Sequence, residues 1–288
     1  MNLCDIKTIK QIMSIYGLTF RKEFGQNFLT ERSVVEEIAE CCCEGQSDNI
    51  LEVGPGLGTL TYELASRYRQ VVAVELDRGL IPALGYTLNE FNNVKIINDD
   101  IMKCDLPALA APYLDGGLSV CANLPYYITT PILMALLESR VPFDYITVMV
   151  QSEVADRLCA APGSRDCGAI TAVLAYYGTS ERLMKVPAGL FLPPPKVDSA
   201  VVRIKLHKEK PYRPTDEELF FKTVKAAFGQ RRKTLPNALS AVFGDIPREG
   251  LLRAITDSGI SPDIRGERLT MPEFVTLSDN LGKVKAGM

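Results

Sequence analysis

The chain has 288 residues, of which 47% are hydrophobic and 23% charged, proportions that are ordinary for a globular protein. This length suits one large domain together with a smaller one. No apolar run approaches the about 20 residues of a membrane span, and the first ten residues lack the apolar core of a secretory signal. We therefore expect a cytoplasmic protein without membrane contact.

Two residue types limit the chemistry. His207 is the single histidine, which argues against histidine general-base catalysis and histidine-ligated metals. The eight cysteines include no Cys-x-x-Cys pair, so we expect reduced thiols and no metal site.

The net charge is −3, but from residue 206 onward basic residues outnumber acidic ones by 14 to 11. This asymmetry predicts a polyanionic partner for the C-terminal part.

The first two thirds of the chain alternate predicted strands with predicted helices. A short helix over 7–17 leads to an irregular segment over 21–29, and Ser33 with Glu36 predicts a capping box for a helix over 34–43. Strands are predicted over 49–53, 71–74, 94–98, 118–123 and 144–151, and a closing pair over 180–186 and 199–206. Helices are predicted over 59–68, 80–89, from 130 onward, 152–160 and 168–177. This alternation is typical of a doubly wound α/β sheet.

Beyond residue 207 the pattern changes to helices alone. Thr215 is the predicted cap of a helix that continues to Phe228, and further helices are predicted over 236–243, 248–258 and 272–281. Thr270 with Glu273 forms a second predicted capping box. We therefore expect two domains, an α/β domain over 1–207 and a small all-helical domain over 208–288.

A glycine-rich turn follows the first strand of the α/β pattern. Gly54 and Gly56 allow backbone N–H groups to approach a ligand at the start of a helix. Glu75 ends the second strand, where an acid grips ribose hydroxyls, and Asp100 ends the third, where it accepts from an adenine amino group. Asp99 is an adjacent alternative to Asp100. Together these features resemble the S-adenosylmethionine site of class I methyltransferases, a Rossmann-like fold.

The fourth strand ends in Asn123, Leu124, Pro125 and Tyr126. Taken alone, this tetrapeptide fits a simple turn as well as a binding site. Beside a methyl donor, the Asn123 side-chain oxygen and the Leu124 carbonyl would accept hydrogen bonds from one planar amino group. Pro125 stiffens the loop, and Tyr126 is expected to form a pair of stacking faces with Phe191 for an extruded base.

The sequence resembles the ribosomal RNA adenine-N6,N6-dimethyltransferase family of the KsgA type over nearly its whole length. The resemblance rests on residues 24–29 (Phe-Gly-Gln-Asn-Phe-Leu), 52–56, 74–77, 123–126, 191–202 and 228–235 (Phe-Gly-Gln-Arg-Arg-Lys-Thr-Leu). It implies dimethylation of two adjacent adenosines near the 3′ end of small-subunit (16S) rRNA, acting as a monomer on a pre-assembled small ribosomal subunit.

The same resemblance implies roles for individual residues. S-adenosylmethionine would contact Asn27, Leu29, Gly54, Glu75, Asp100 and Asn123. Arg231, Arg232 and Lys233 would hold rRNA phosphates. One departure is Glu23, where relatives usually carry a basic residue; it puts one phosphate contact in doubt and leaves the chemistry untouched.

Two alternative functions stay open from sequence. The first is the related family that methylates a large-subunit rRNA adenine and confers macrolide resistance, although it usually has Ile at position 124 and lacks the 229–234 run. The second is a non-catalytic RNA-binding assembly factor, which the intact set of Gly54, Glu75, Asp100 and Asn123 disfavours.

Overall fold

The structure is a computed structural model that describes residues 1–21, 25–45, 47–230 and 232–287. The chain forms two compact units. The first comprises Met1–Ala155 and Glu181–Leu206, and the second comprises Asp156–Ser180 and His207–Met288. Residues 156–180, which the sequence pattern assigned to the α/β domain, thus group with the C-terminal helices.

A seven-stranded mixed sheet forms the centre of the first unit. Its strands are β2 (Asn49–Val53), β3 (Gln70–Glu75), β4 (Val94–Asn98), β5 (Leu118–Asn123), β6 (Tyr145–Gln151), β7 (Gly178–Val186) and β9 (Ser199–Leu206). Their order is β4-β3-β2-β5-β6-β9-β7, in which neighbouring strands from β4 to β6 are parallel and β9 runs antiparallel to β6. The predicted α/β class is confirmed by this sheet.

Two helices precede the sheet, and the others alternate with its parallel strands, as expected for βαβ units. They are α1 (Ile6–Ile15), α2 (Arg32–Cys41), α3 (Thr59–Ala65), α4 (Ile81–Thr87), α5 (Leu106–Ala110), α6 (Thr129–Glu138) and α7 (Ser152–Leu158). Every residue of β2 is buried, including the polar Asn49 and Glu52, as expected for a central strand of a parallel sheet. The parallel strands end together at one edge of the sheet, and that edge carries the polar residues picked out from the sequence.

A separate two-stranded ribbon includes the end of the segment over 21–29, which is predicted from sequence to be irregular. β1 (Phe28–Leu29) pairs antiparallel with β8 (Phe191–Leu192), and Leu29 lies opposite Phe191. The Thr30 N–H also donates to the Leu190 carbonyl at 2.9 Å. The chain just ahead of α2 is therefore tied to the loop that precedes β9.

The second unit contains α8 (Ala169–Tyr177), α9 (Glu217–Gly229), α10 (Leu235–Ser240), α11 (Arg248–Asp257) and α12 (Met271–Ala286). Its core includes Tyr176, Phe220 and Phe274, all less than 2% exposed. None of the helices in the described residues is long and apolar enough to cross a bilayer.

Helix caps show where the sequence reading succeeded and failed. The Glu273 carboxylate accepts from the Thr270 N–H at 2.7 Å, so that predicted capping contact is confirmed. The cap of α9 is Asp216 and not Thr215, because the Asp216 carboxylate accepts from the Leu219 N–H. The box predicted on Ser33 is wrong as well, since α2 begins earlier and Glu31 caps it.

Candidate active site

A cavity opens where β2, β3, β4 and β5 end, and about 1100 Å³ there is free of protein atoms, counting the open solvent at its mouth. Ten residues singled out from the sequence line it: Asn27, Leu29, Gly54, Gly56, Glu75, Asp100, Asn123, Leu124, Pro125 and Tyr126. They come from four strand ends and from the segment around β1. Ligands bind at this edge in open α/β sheets.

The glycine-rich turn lies on the floor of the cavity. Gly54 and Gly56 have φ angles of 71° and 62°, in the left-handed region that favours glycine. A Cβ on Gly56 would lie 3.0 Å from Cε1 of Phe28, so a side chain here would press into that ring. The turn therefore keeps its backbone bare beside the cavity, at the start of α3.

Glu75, at the end of β3, is 6% exposed and holds a fixed orientation. Its Oε2 accepts from the Gly56 N–H at 3.1 Å, and its Oε1 accepts from the Asp77 N–H at 2.8 Å. Burial raises the pKa of the Glu75 carboxyl, while the two N–H groups act in the opposite direction. Each oxygen retains a further lone pair, so the group can accept from a vicinal diol.

Glu52 is a second buried acid of the cavity, and the sequence reading did not assign it a role. It is 1% exposed, and among the described residues its Oε2 has no hydrogen-bond partner. Burial raises the pKa of Glu52 to about 8, with a smaller contribution from the nearby Glu75. In the sequence, the sign that could have revealed this residue was an acid inside a predicted buried strand. The Oε2 of Glu52 is thus a buried polar atom at the cavity wall that is available to a hydrogen-bonding ligand.

Asp99 and Asp100 both line the cavity at the end of β4. The Asp100 side chain is 26% exposed; its Oδ1 accepts from the Met102 N–H at 3.0 Å and its Oδ2 lies 3.6 Å from Lys103 Nζ. Asp99 is exposed, and its Oδ1 accepts from the Asp100 N–H at 2.7 Å. Asp100 is the better sheltered of the two, which favours it as the contact for a ligand amine.

The Asn123 amide is oriented by the segment that precedes β1. Its Nδ2 donates to the Asn27 carbonyl at 3.2 Å, while Asn27 Nδ2 donates to the Gly25 carbonyl at 2.9 Å. Since the nitrogen is engaged, the Asn123 side-chain oxygen is the end that remains available, and no described residue donates to it. Leu124 is held at the same strand end by its N–H, which donates to the Met149 carbonyl at 3.3 Å.

Tyr126 is half-buried, and its hydroxyl lies 2.6 Å from Ser199 Oγ. Burial raises the pKa of Tyr126 above its ordinary value of 10, so the phenol stays neutral at physiological pH. The ring therefore offers a flat, uncharged wall to the cavity and is not a candidate base.

Phe191 is not brought to this cavity. It is 4% exposed and packs in an apolar cluster with Leu29, Val35 and Val186. The pairing of β8 with β1 turns the ring inward, so the stacking face expected from the sequence is covered in this structure. Of the predicted RNA contacts, Arg232 and Lys233 are exposed beyond α9, and Arg231 lies outside the described residues.

Fold and site together define a class I methyltransferase. Two solved structures share the architecture. The 23S rRNA methyltransferase ErmE has 26% sequence identity and a TM-score of 0.66, over 88% of this chain and 99% of that one. A dimethyladenosine transferase from Plasmodium falciparum has 21% identity and a TM-score of 0.71, over 90% of this chain and 98% of that one.

Within that class, residues 17–281 match the family described as ribosomal RNA adenine dimethylase. Two similar relatives are both named ribosomal RNA small subunit methyltransferase A. That of Lachnoclostridium phytofermentans is 45% identical over 280 residues, 96% of this chain and 97% of its own length. That of Lactiplantibacillus plantarum is 46% identical over 285 residues, which cover 98% of this chain and 96% of its own length. The chain belongs to the ribosomal RNA adenine dimethylase family.

Proposed function

We propose that this protein transfers methyl groups from S-adenosylmethionine to the N6 amino groups of two adjacent adenosines near the 3′ end of small-subunit (16S) rRNA. The family and the names of the two relatives at 45% and 46% identity support this substrate. Identity to the 23S rRNA enzyme ErmE is 26%, which favours the small-subunit reading over the large-subunit alternative.

The observation that carries the proposal is the amide of Asn123, whose nitrogen is held by the Asn27 carbonyl. This contact leaves the Asn123 oxygen and the Leu124 carbonyl as two acceptors at one strand end. An exocyclic adenine amine is a weak nucleophile because its lone pair is delocalised into the ring. Two acceptors for its N–H groups favour a tetrahedral nitrogen with a localised lone pair, which is positioning and electrostatic catalysis without a strong base.

The cavity residues fit the methyl donor. When bound, S-adenosylmethionine supplies a methyl group on a positively charged sulfonium. Glu75 would accept from the ribose hydroxyls and Asp100 from the adenine amine. The rest of the donor would contact the other residues that line the cavity, namely Asn27, Leu29, Gly54 and Gly56. The unpartnered Oε2 of Glu52 is available for a hydrogen bond with the donor.

The acceptor base must leave its stack to reach Asn123, because N6 is not accessible inside a helix. Tyr126 lines the cavity with a ring fixed by Ser199, and stacking on this ring would hold the extruded adenine. Pro125 contributes rigidity, since its carbonyl accepts from the Ile128 N–H at 3.2 Å and the Thr129 hydroxyl at 3.1 Å.

The proposed partner is a pre-assembled small ribosomal subunit, met by a monomeric protein in the cytoplasm. Arg231, Arg232 and Lys233 would contact rRNA phosphates, because basic side chains after α9 neutralise backbone charge and release counterions. The basic excess beyond residue 206 supports this assignment.

Replacing Asn123 tests the proposed chemistry. Asn123→Ala removes one of the two acceptors, and we expect kcat on undermethylated small subunits to fall by about 100-fold or more. Donor affinity, measured by calorimetry, should change much less. Asn92→Ala, at an exposed position remote from the cavity lining, is the control and should behave like the parent. Turnover of Asn123→Ala equal to that of the parent would contradict the acceptor role.

A further inference from the structure

Tyr127 is an aromatic residue at the cavity that the proposed chemistry does not use. Its side chain is 58% exposed, although the residue lines the same cavity as Asn123 and Tyr126. In the described part of the chain, only one other aromatic side chain is among the exposed large hydrophobic residues, Tyr86 at 42%. Tyr86 has a ring neighbour, since its centroid lies 6.1 Å from that of Tyr16. No described aromatic ring packs on Tyr127.

The backbone that carries Tyr127 is nevertheless fixed. It lies in the turn between β5 and α6, where the Pro125 carbonyl accepts from Ile128 and Thr129. The ring itself is bordered by Gly25, because a Cβ built on Gly25 would lie 3.6 Å from Cδ1 of Tyr127. A flat, exposed ring on a rigid turn at the rim of a binding cavity is a preformed stacking platform.

The two consecutive tyrosines differ in a way that suits two different bases. Tyr126 is half-buried and anchored through its hydroxyl to Ser199, whereas Tyr127 projects to solvent at the cavity mouth. An adenosine that is drawn into the cavity leaves its neighbour without a stacking partner on one face. Because the proposed substrate carries two adjacent adenosines, the neighbour is itself an adenine, with a large ring surface.

We infer that Tyr127 is a positioning residue that stacks on the nucleotide next to the extruded adenosine. The inference rests on the proposed function and adds a second base-binding position to it. Tyr127 touches neither the reacting nitrogen nor the methyl donor in this account. It holds the unreacted neighbour at the mouth while Tyr126 and Asn123 hold the base inside.

Kinetics on undermethylated small ribosomal subunits test this role with three substitutions. Tyr127→Ala should raise KM for the subunit by about 10-fold, within the range for loss of one base stack, with a smaller effect on kcat. Tyr127→Phe keeps the flat ring and should restore the parent KM. Tyr127→Leu keeps an apolar side chain without a flat face and should resemble Tyr127→Ala. Tyr86→Ala removes the other exposed aromatic side chain among the described residues and should leave KM unchanged.

The possible outcomes separate the inference from the function beneath it. Parent-like KM for Tyr127→Ala, or equal rescue by Leu and Phe, would overturn the stacking role while methylation by the parent stands. An equal loss of S-adenosylmethionine affinity or of thermal stability in Tyr127→Ala would also overturn it, since the residue would then be structural. A parent protein that methylates no small subunits would instead remove the proposed function itself.

Discussion

Glu52 makes the stability of this protein depend on pH in a way that one substitution should reveal. Its ordinary pKa of 4.5 is raised to about 8 by complete burial. At neutral pH the folded protein therefore holds a neutral carboxylic acid, whereas the unfolded chain holds a carboxylate. The folded state binds one more proton between these two values, so stability is lost as pH rises through that window.

The magnitude follows from the two pKa values. At about 1.4 kcal/mol for each pKa unit, the full difference corresponds to about 5 kcal/mol of unfolding free energy, reached above pH 8. About 2 kcal/mol of it falls between pH 6 and pH 8. Glu52→Gln keeps the size and polarity of the side chain but cannot ionise, so it escapes this loss.

Urea unfolding of the donor-free protein at pH 6, 7 and 8 measures the effect. The free energy of unfolding of Glu52→Gln, relative to the parent, should rise by about 2 kcal/mol from pH 6 to pH 8. Glu138→Gln, at an exposed position on α6, should show a constant difference. A constant difference for Glu52→Gln as well would refute the claim that burial keeps this acid neutral.

Two further predictions concern residues other than Asn123 and Leu124. Phe191→Ala should lower the free energy of unfolding by about 3–4 kcal/mol, because the ring fills an apolar cluster beside Leu29. Equilibrium unfolding measures this change. Unchanged stability together with impaired methylation would favour a stacking role for Phe191 instead. Joint replacement of Arg231, Arg232 and Lys233 by Ala should weaken rRNA binding and reduce the steepness of its log–log salt dependence by about 2. Binding titrations at several salt concentrations test the latter, and equal slopes for variant and parent would argue against phosphate contacts there.

Much of the site was predictable because strand ends converge. Glu75, Asp100 and Asn123 each follow an apolar run, and parallel strands of one sheet finish at the same edge. The structure indeed places all three on one cavity. Local signals, such as the acid at Glu273 three residues after Thr270, were equally readable.

Features that depend on distant contacts were not predictable. The burial of Phe191 results from its pairing with Leu29, more than 160 residues earlier in the chain, and no local pattern reveals that partner. The sequence pattern assigns residues 156–180, with their predicted helices, to the α/β domain, yet they group with the helices that follow residue 207. Tyr127 could not be separated from Tyr126 by sequence, because only exposure and the Ser199 contact distinguish them.

We propose that this chain dimethylates two adjacent adenosines of small-subunit rRNA. The most direct test incubates the protein with labelled S-adenosylmethionine and either undermethylated small subunits or large subunits, and then maps the modified bases. We expect N6,N6-dimethyladenosine at two neighbouring positions near the 3′ end of 16S rRNA and no label in the large subunit. Label in a large-subunit adenine, or no transfer to either particle, would contradict it.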